Sequence, residues 1–411
     1  MTAIKENAKE NKHVLFRNRN FSLLFIGGLL SSPGYYVYLI GVEWLMLTLN
    51  DNRFYFGMLF FAASIPRLLF LTVGGIIADR FNQRTVLFLS DLSRAILIAV
   101  LLAFIWLDTV TAIHLIVLAA LFGISDAFSY PALNSLTPRI LEKEQLQRGN
   151  SFIQMTMQIS PILGPAIGGS LIALLGFKGV FSVAFVMLLL ASMSVLAIRV
   201  KKEEKEEAQA SPWQDLKAGF QYARKNELVI AIVTMAFFLN FFFAGPLSIG
   251  LPVIVKDVFE GSAVSLAIVE ISMGIGAMIG AILLAAITLK QPGKAMVGSL
   301  IVLGVLFTAT GISTGLIWTA AIVLLMSIAT QIVNIPLITM LQQTTDKKML
   351  GRMMSFLMTV STGLVPVSYV CTSFLLALGL SIQLIIIVSG IIVTILALYM
   401  LKNKKIISFT S

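Results

Sequence analysis

Six ionisable residues stand inside long apolar runs of this 411-residue chain: Glu43, Arg67, Asp91, Arg94, Asp126 and Glu270. In hydrocarbon such groups are expensive, and they persist where they pair, hold a substrate or carry a proton. A carboxylate exposed in turn to either side of a membrane can pick up and release a proton, which makes Glu270, Glu43 and Asp126 the proton-coupling candidates, in that order. Glu270 comes first because it shares a helical face with Met273, Gly274 and Ala277, with no Lys or Arg in its own run. Arg67 is within side-chain reach of Glu43 and is the ion-pair candidate for it, while Asp126 is available to Arg94. Gln154, Gln158, Asn240, Gln331 and Asn334 can line the same cavity as polar contacts. His114 reads as an interfacial residue. No His, Cys and carboxylate cluster has metal-ligand spacing, and no Gly-rich Lys-Ser/Thr phosphate loop occurs. The expectation is therefore no metal, no cofactor and no enzyme activity.

Two motifs suit movement rather than bond chemistry. In Gly75-Ile-Ile-Ala-Asp79-Arg80-Phe-Asn82-Gln83-Arg84, Gly75 permits close helix packing. Asp79 can face the positive end of another helix, and Arg80 and Arg84 can pair with carboxylates. Together they describe a gate latch that holds one conformation and releases in another. In Gly164-Pro165-Ala-Ile-Gly168-Gly169, the proline bends a helix and the glycines form a packing seam.

The elements that carry these residues are membrane helices. Charged residues make up 12% of the chain and hydrophobic ones 58%, against roughly 25% charged in a soluble domain. The net charge of +10 lies in short clusters between apolar runs, a membrane pattern and not a nucleic-acid surface. The lone cysteine, Cys371, excludes an internal disulfide. With ~20 residues needed per crossing, spans fall at 21–49, 56–78, 86–107, 111–133, 151–174, 177–198, 228–255, 262–289, 295–315, 317–340, 353–378 and 379–401. The first run is too long for the core of a cleavable signal peptide and reads as a retained helix. Basic residues gather in the N-terminus, the even-numbered loops and the tail, so both termini are expected in the cytoplasm. Residues 199–227 form a cytoplasmic linker in which Trp213, Leu216 and Phe220 predict an amphipathic surface helix. It separates an N-terminal six-helix bundle, 1–198, from a C-terminal one, 228–411.

The halves repeat. Pro131-Ala-Leu-Asn-Ser-Leu136 followed by Arg148-Gly-Asn-Ser-Phe152 returns as Pro336-Leu-Ile-Thr-Met-Leu341 followed by Arg352-Met-Met-Ser-Phe356, at offsets of 205 and 204 residues. Six crossings bring the chain back to its starting side, so the halves are parallel, an architecture of alternating-access transporters.

The latch motif resembles the signature loop of the major facilitator superfamily, Gly-x-Leu-Ala-Asp-Arg-x-Gly-Arg-Lys. Gly75, Ala78, Asp79, Arg80 and Arg84 match; Asn82 replaces a glycine, as a residue tolerant of left-handed backbone, and Gln83 replaces an arginine. In the second half Leu284 stands where Asp79 would recur, so the latch belongs to the first half. The seam Gly164, Pro165, Gly168, Gly169 resembles the antiporter motif of drug exporters. The stretches Ala127–Pro138, 350–355 and 269–276 resemble the macrolide-efflux group, and Ser64-Ile-Pro66-Arg67 fits the wider branch that includes enterobactin exporters and lysophospholipid flippases. The resemblance implies an all-α major facilitator fold of twelve transmembrane helices and a monomeric efflux transporter in a bacterial plasma membrane. Its implied partners are protons, the bilayer and a small amphipathic drug such as a macrolide. A siderophore or lysophospholipid exporter, or a non-transporting sensor, are the alternatives.

The orientation is checked by placing single cysteines at Asn52 and Gln209 in a Cys371→Ser background. An impermeant reagent should label the first in intact cells and the second only after lysis. Labelling of the second from outside reverses the topology.

Overall fold

The computed structural model describes residues 15–199, 220–221, 223–224, 226–287, 289–346 and 349–409, with backbone alone at 72, 76, 78–80, 355 and 404. Among these residues the secondary structure is helical throughout. Four long helices come first among the described residues: α1 (Arg19–Leu49), α2 (Arg53–Arg80), α3 (Gln83–Trp106) and α4 (Ala112–Ile140). Helix α5 (Lys143–Leu196) follows. Then come α6 (Glu227–Leu239) and α7 (Gly245–Val253), joined by a π-helical turn at Asn240–Ala244, with a second such turn at Ile254–Val258. Helices α8 (Ala263–Ala286), α9 (Pro292–Ile312), α10 (Leu316–Thr344), α11 (Leu350–Ala377) and α12 (Ile382–Met400) complete the set, with a short α13 (Lys404–Ile407) after them. The predicted surface helix in the 199–227 linker falls largely outside the described residues.

Eleven of the described helical stretches are long and apolar enough to cross a membrane. Helix α5 counts as two crossings. Its 54 residues would run about 80 Å as one rod at ~1.5 Å per residue, and Gly176 breaks it with φ 64° and ψ −165°. Among the described residues the total of crossings is thus twelve. Gly379, at φ 88°, sits in the equivalent turn between α11 and α12. Two glycines 203 residues apart, each in a backbone region closed to most L side chains, place the sequence repeat in the structure as well.

Contacts divide the chain into two compact units, Met1–Leu45 with Ala62–Ala208, and Met46–Phe61 with Gln209–Ser411. Within the second unit Arg53 forks onto Asp257, at 2.8 Å from Nε and 2.6 Å from Nη2, and also donates to the carbonyl of Asn50.

Helix starts follow local chemistry. Asn82 caps α3 by accepting from the Arg84 amide at 3.1 Å, with φ −67° and ψ 113°. Its role at the family's glycine position is therefore capping; the backbone there is extended, not left-handed. Thr111 and His114 form a capping box on α4, and His114 stacks on Phe104 with centroids 4.1 Å apart. Ser262 and Ser265 do the same for α8.

Small residues set the helix spacing in the first unit, as expected where hydrocarbon supplies no hydrophobic drive between helices. A Cβ on Gly123 of α4 would sit 2.1 Å from the Ala63 carbonyl oxygen of α2, and one on Gly74 would sit 2.5 Å from that of Ala127. Gly75, expected from the sequence to be the close-packing glycine, has nothing within 4 Å of its missing Cβ. The contact falls one residue earlier because Gly74 is buried on the face toward α4. Gly164 and Gly168 of α5 meet α1 in the same way, with missing-Cβ distances of 2.1 Å to Tyr36 and 2.4 Å to Ile40. The proline and glycine segment is thus a packing seam.

Gly123→Ala should lower thermal stability of the detergent-purified protein, in line with overpacking costs of about 1–3 kcal/mol. Gly75→Ala should be neutral or slightly stabilising, since alanine favours helix by up to about 1 kcal/mol. Equal tolerance of both substitutions would show that α2 and α4 are not held this closely.

Candidate functional site

Helix α3 buries Gln83, Val86, Leu87, Ser90, Asp91, Arg94, Ala95, Ile98, Leu101 and Ile105, an i, i+3, i+4, i+7 stripe. Asp91 and Arg94 lie on that stripe one turn apart, so folding buries both charges together, with side-chain exposures of 3% and 4%. Arg94 Nη2 pairs with Asp91 Oδ1 and also donates to Ser31 Oγ at 3.3 Å and Ser129 Oγ at 3.2 Å. The Ser31 hydroxyl donates to Asp91 Oδ1 at 3.0 Å. Arg94 Nη1 reaches Asp126 Oδ1 on α4 at 3.2 Å, and the guanidinium carbon lies 5.9 Å from the Phe122 ring centre.

The second oxygen of Asp126 goes to α2. The seam that brings Ala63 to Gly123 and Gly74 to Ala127 puts Arg67 beside Asp126, with Nε 3.1 Å from Oδ2. The sequence paired Arg67 with Glu43; the structure places Arg67 on Asp126, because the α2–α4 seam sets these facing residues. Glu43 itself is buried in α1 at 4% exposure. Asp126 therefore bridges two arginines from two different helices.

This network forms one wall of a cavity of about 430 Å³ within the first unit. Leu24, Phe25, Leu39, Leu133, Ile153 and Met157 supply apolar lining, and Ser32, Tyr35, Tyr36 and Tyr130 supply hydroxyls. That volume is in the range of small-molecule sites, roughly 300–1,000 Å³. The charges are not equally accessible. The Arg67 side chain is 52% exposed and Asp126 18%.

The remaining sequence candidates are placed elsewhere. On α5 the cavity-lining residues are Ile153, Thr156 and Met157, whereas Gln154 and Gln158 are exposed on another part of the helix. Asn240 opens the first π-helical turn and donates to the Ala236 carbonyl at 2.9 Å. Gln331 packs its Cβ on Gly280, Asn334 is exposed, and Glu270 is half-buried on α8, all in the second unit. In the latch, the Asp79 and Arg80 side chains lie outside the described residues. Arg84 donates to the Leu196 carbonyl at the C-terminal end of α5, so its partner is a helix end and not the expected carboxylate. Ser31, Tyr35 and Tyr38 were not singled out, although their spacing puts them on one face of α1. Tyr38 stacks on Phe122 with centroids 4.3 Å apart.

A sequence profile described as the Major Facilitator Superfamily matches residues 24–368. The chain belongs to the major facilitator superfamily. Among relatives, macrolide efflux protein A of Enterococcus faecalis is 25% identical over 251 residues, 60% of this chain and 77% of that protein. An uncharacterized MFS-type transporter, YkuC of Bacillus subtilis, is 25% identical over 74% of this chain and 73% of its own. The staphyloferrin A transporter of Staphylococcus aureus is 25% identical over 64% of each. Among solved structures, a mutant of the nucleoside transporter NupG superposes with a TM-score of 0.74 at 13% identity, over 93% of this chain and 98% of that one. A bacterial homolog of the human lysosomal transporter Spinster gives 0.73 at 13% identity, over 96% and 98%. These place the superfamily fold on nearly the whole chain.

Arg94→Leu should sharply reduce folded yield, because removing one partner strands Asp91 in a buried site, at a cost of about 3–5 kcal/mol. Asp91→Leu/Arg94→Leu should recover much of that loss while Asp126 keeps Arg67. A single mutant as stable as wild type would show that the network has no structural weight.

Proposed function

We propose that this major facilitator protein is a secondary active exporter that moves amphipathic organic molecules by alternating access, in exchange for protons. The observation that carries this reading is Asp126, a carboxylate at the cavity wall that joins two arginines from two helices. A proton arriving there cancels the charge that holds both, so protonation and helix contact are linked through one atom pair on each side. Occupancy of the cavity and rearrangement of the wall thus share the same groups, which coupled transport requires. The names of the macrolide efflux relatives support the direction of movement. A bacterial plasma membrane location, cytoplasmic termini and a monomeric state follow the basic-loop pattern and the superfamily, and the Asp79 and Arg80 latch would act as the gate.

A macrolide-like drug is the first substrate expectation. The half-exposed Arg67 favours a second reading, a siderophore or lysophospholipid exporter, and the name of the staphyloferrin relative agrees with it. Asp126 stands beside Glu270 and Glu43 as a coupling candidate on one observation, that it lines this cavity.

In proteoliposomes with an imposed pH gradient, Asp126→Asn should abolish uphill export yet leave downhill equilibration of substrate. Glu270→Gln and Glu43→Gln should keep coupling. The opposite pattern would return the role to Glu270 or Glu43, and retained coupling in all three variants would end the proton-antiport reading.

A further inference from the structure

We infer that the cavity of the first unit recognises an oxyanion head group, a carboxylate or phosphate on an apolar body, which binds the Arg67 guanidinium in place of Asp126. The inference deepens the second reading above, a siderophore or lysophospholipid exporter, and rests on the exporter reading for the movement of the ligand, though not for its binding.

Counted by formal charge the wall is neutral, with two aspartates and two arginines. What a ligand meets is set by exposure. Both carboxylates are turned toward Arg94, at 3% and 18% side-chain exposure, and Arg94 itself is engaged by Asp91, Asp126, Ser31 and Ser129. Arg67 is the one charged group of the four whose side chain is half exposed, and it is among the residues that line the cavity. A cationic ligand would have to reach carboxylates already bonded on the far side of the network. An anion meets a planar guanidinium, whose fork suits carboxylate and phosphate geometry. Tyr35, Tyr36 and Tyr130 belong to the same lining.

Release of Asp126 from Arg67 does not leave it stranded, since its other oxygen stays 3.2 Å from Arg94 Nη1. Asp126 thus occupies, in the empty site, the position that a ligand oxyanion takes in the filled one. The apolar lining accepts the rest of the molecule, and a space of about 430 Å³ fits a single short chain or ring system.

The test uses the full-length protein in zwitterionic nanodiscs, with octanoate, octyl phosphate and octyltrimethylammonium as probes at submicellar concentrations. Equilibrium binding of the two anions should exceed that of the cation by at least about tenfold, the worth of one charge-assisted hydrogen bond. Arg67→Gln should remove that preference and leave the cation's binding unchanged, while Arg67→Lys should retain part of it. Preference for octyl phosphate would direct the assignment to a lipid head group and preference for octanoate to a free organic acid. If Arg67→Gln does not fold, Arg67→Gln/Asp126→Asn removes both charges of the pair and must show the same loss. Equal or tighter binding of the cation, or anion binding indifferent to Arg67 in either variant, overturns the inference. Flux of the same probes in proteoliposomes separates the two readings. Arg67-dependent anion binding without gradient-driven flux would sink the exporter alone, and gradient-driven flux of the cation with no anion preference would sink only this site.

Discussion

A charge inside a helix bundle that hydrocarbon surrounds must be neutralised where it stands, and in the first unit Arg94 meets that requirement for its neighbours. It is buried, one turn from Asp91 on the packed stripe of α3, and it reaches Asp126 on α4 and serines on α1 and α4. Separating a buried ion from its partner costs several kcal/mol. The relative placement of α1, α3 and α4 is therefore fixed by electrostatics as much as by shape. Burial of Asp91 and Arg94 strengthens the contact between them, whereas Asp126 and Arg67 border the cavity. A structure built on such contacts changes by exchanging partners, because stretching them gradually gives up Coulomb energy with nothing in return.

Helix spacing supplies the partners. Glycine at positions 74 and 123 lets α2 approach α4 to backbone contact, and that approach carries Arg67 to Asp126. Pro66, immediately before Arg67, lacks the amide donor of an ordinary helical residue and loosens the turn there. The glycines of α5 perform the matching task against α1, where Tyr35 and Tyr36 line the cavity. Small residues and charges are in this sense one device: the former set the distance at which the latter can pair.

The crossings were legible in the sequence because hydrophobic run length and basic-loop asymmetry are properties of the chain alone. The boundary at Gly176 was legible for the same reason, although the backbone there continues with hardly a break in helical pattern. The internal Asp91 and Arg94 pair could be read from i, i+3 spacing. The pairing of Arg67 could not, since reach along two helices says nothing of which faces meet; that depends on the glycine seam, and the seam was assigned to Gly75 when Gly74 carries it. The polar residues of α5 are absent from the lining of this cavity for a similar reason. Gln154 and Gln158 are conspicuous in an apolar run, yet the face that α5 turns to the cavity holds Ile153, Thr156 and Met157. Conspicuous chemistry identifies a candidate, and only packing decides which way it points.

The same packing gives the wall its asymmetry. With equal numbers of acids and bases, the cavity would select nothing if all four were equally exposed. Burial of Asp91 and Arg94 on the α3 stripe withdraws one charge of each sign, leaving Asp126 and Arg67 as the pair that faces open space. Asp126 is then drawn inward by its second contact, to Arg94, and Arg67 has no equivalent pull from the carboxylate of α3. The difference in exposure within that pair follows from the triangle Arg94–Asp126–Arg67 itself. In the proposed mechanism selectivity and conformational linkage would have one origin, because a ligand that displaced Asp126 from Arg67 would leave it on Arg94.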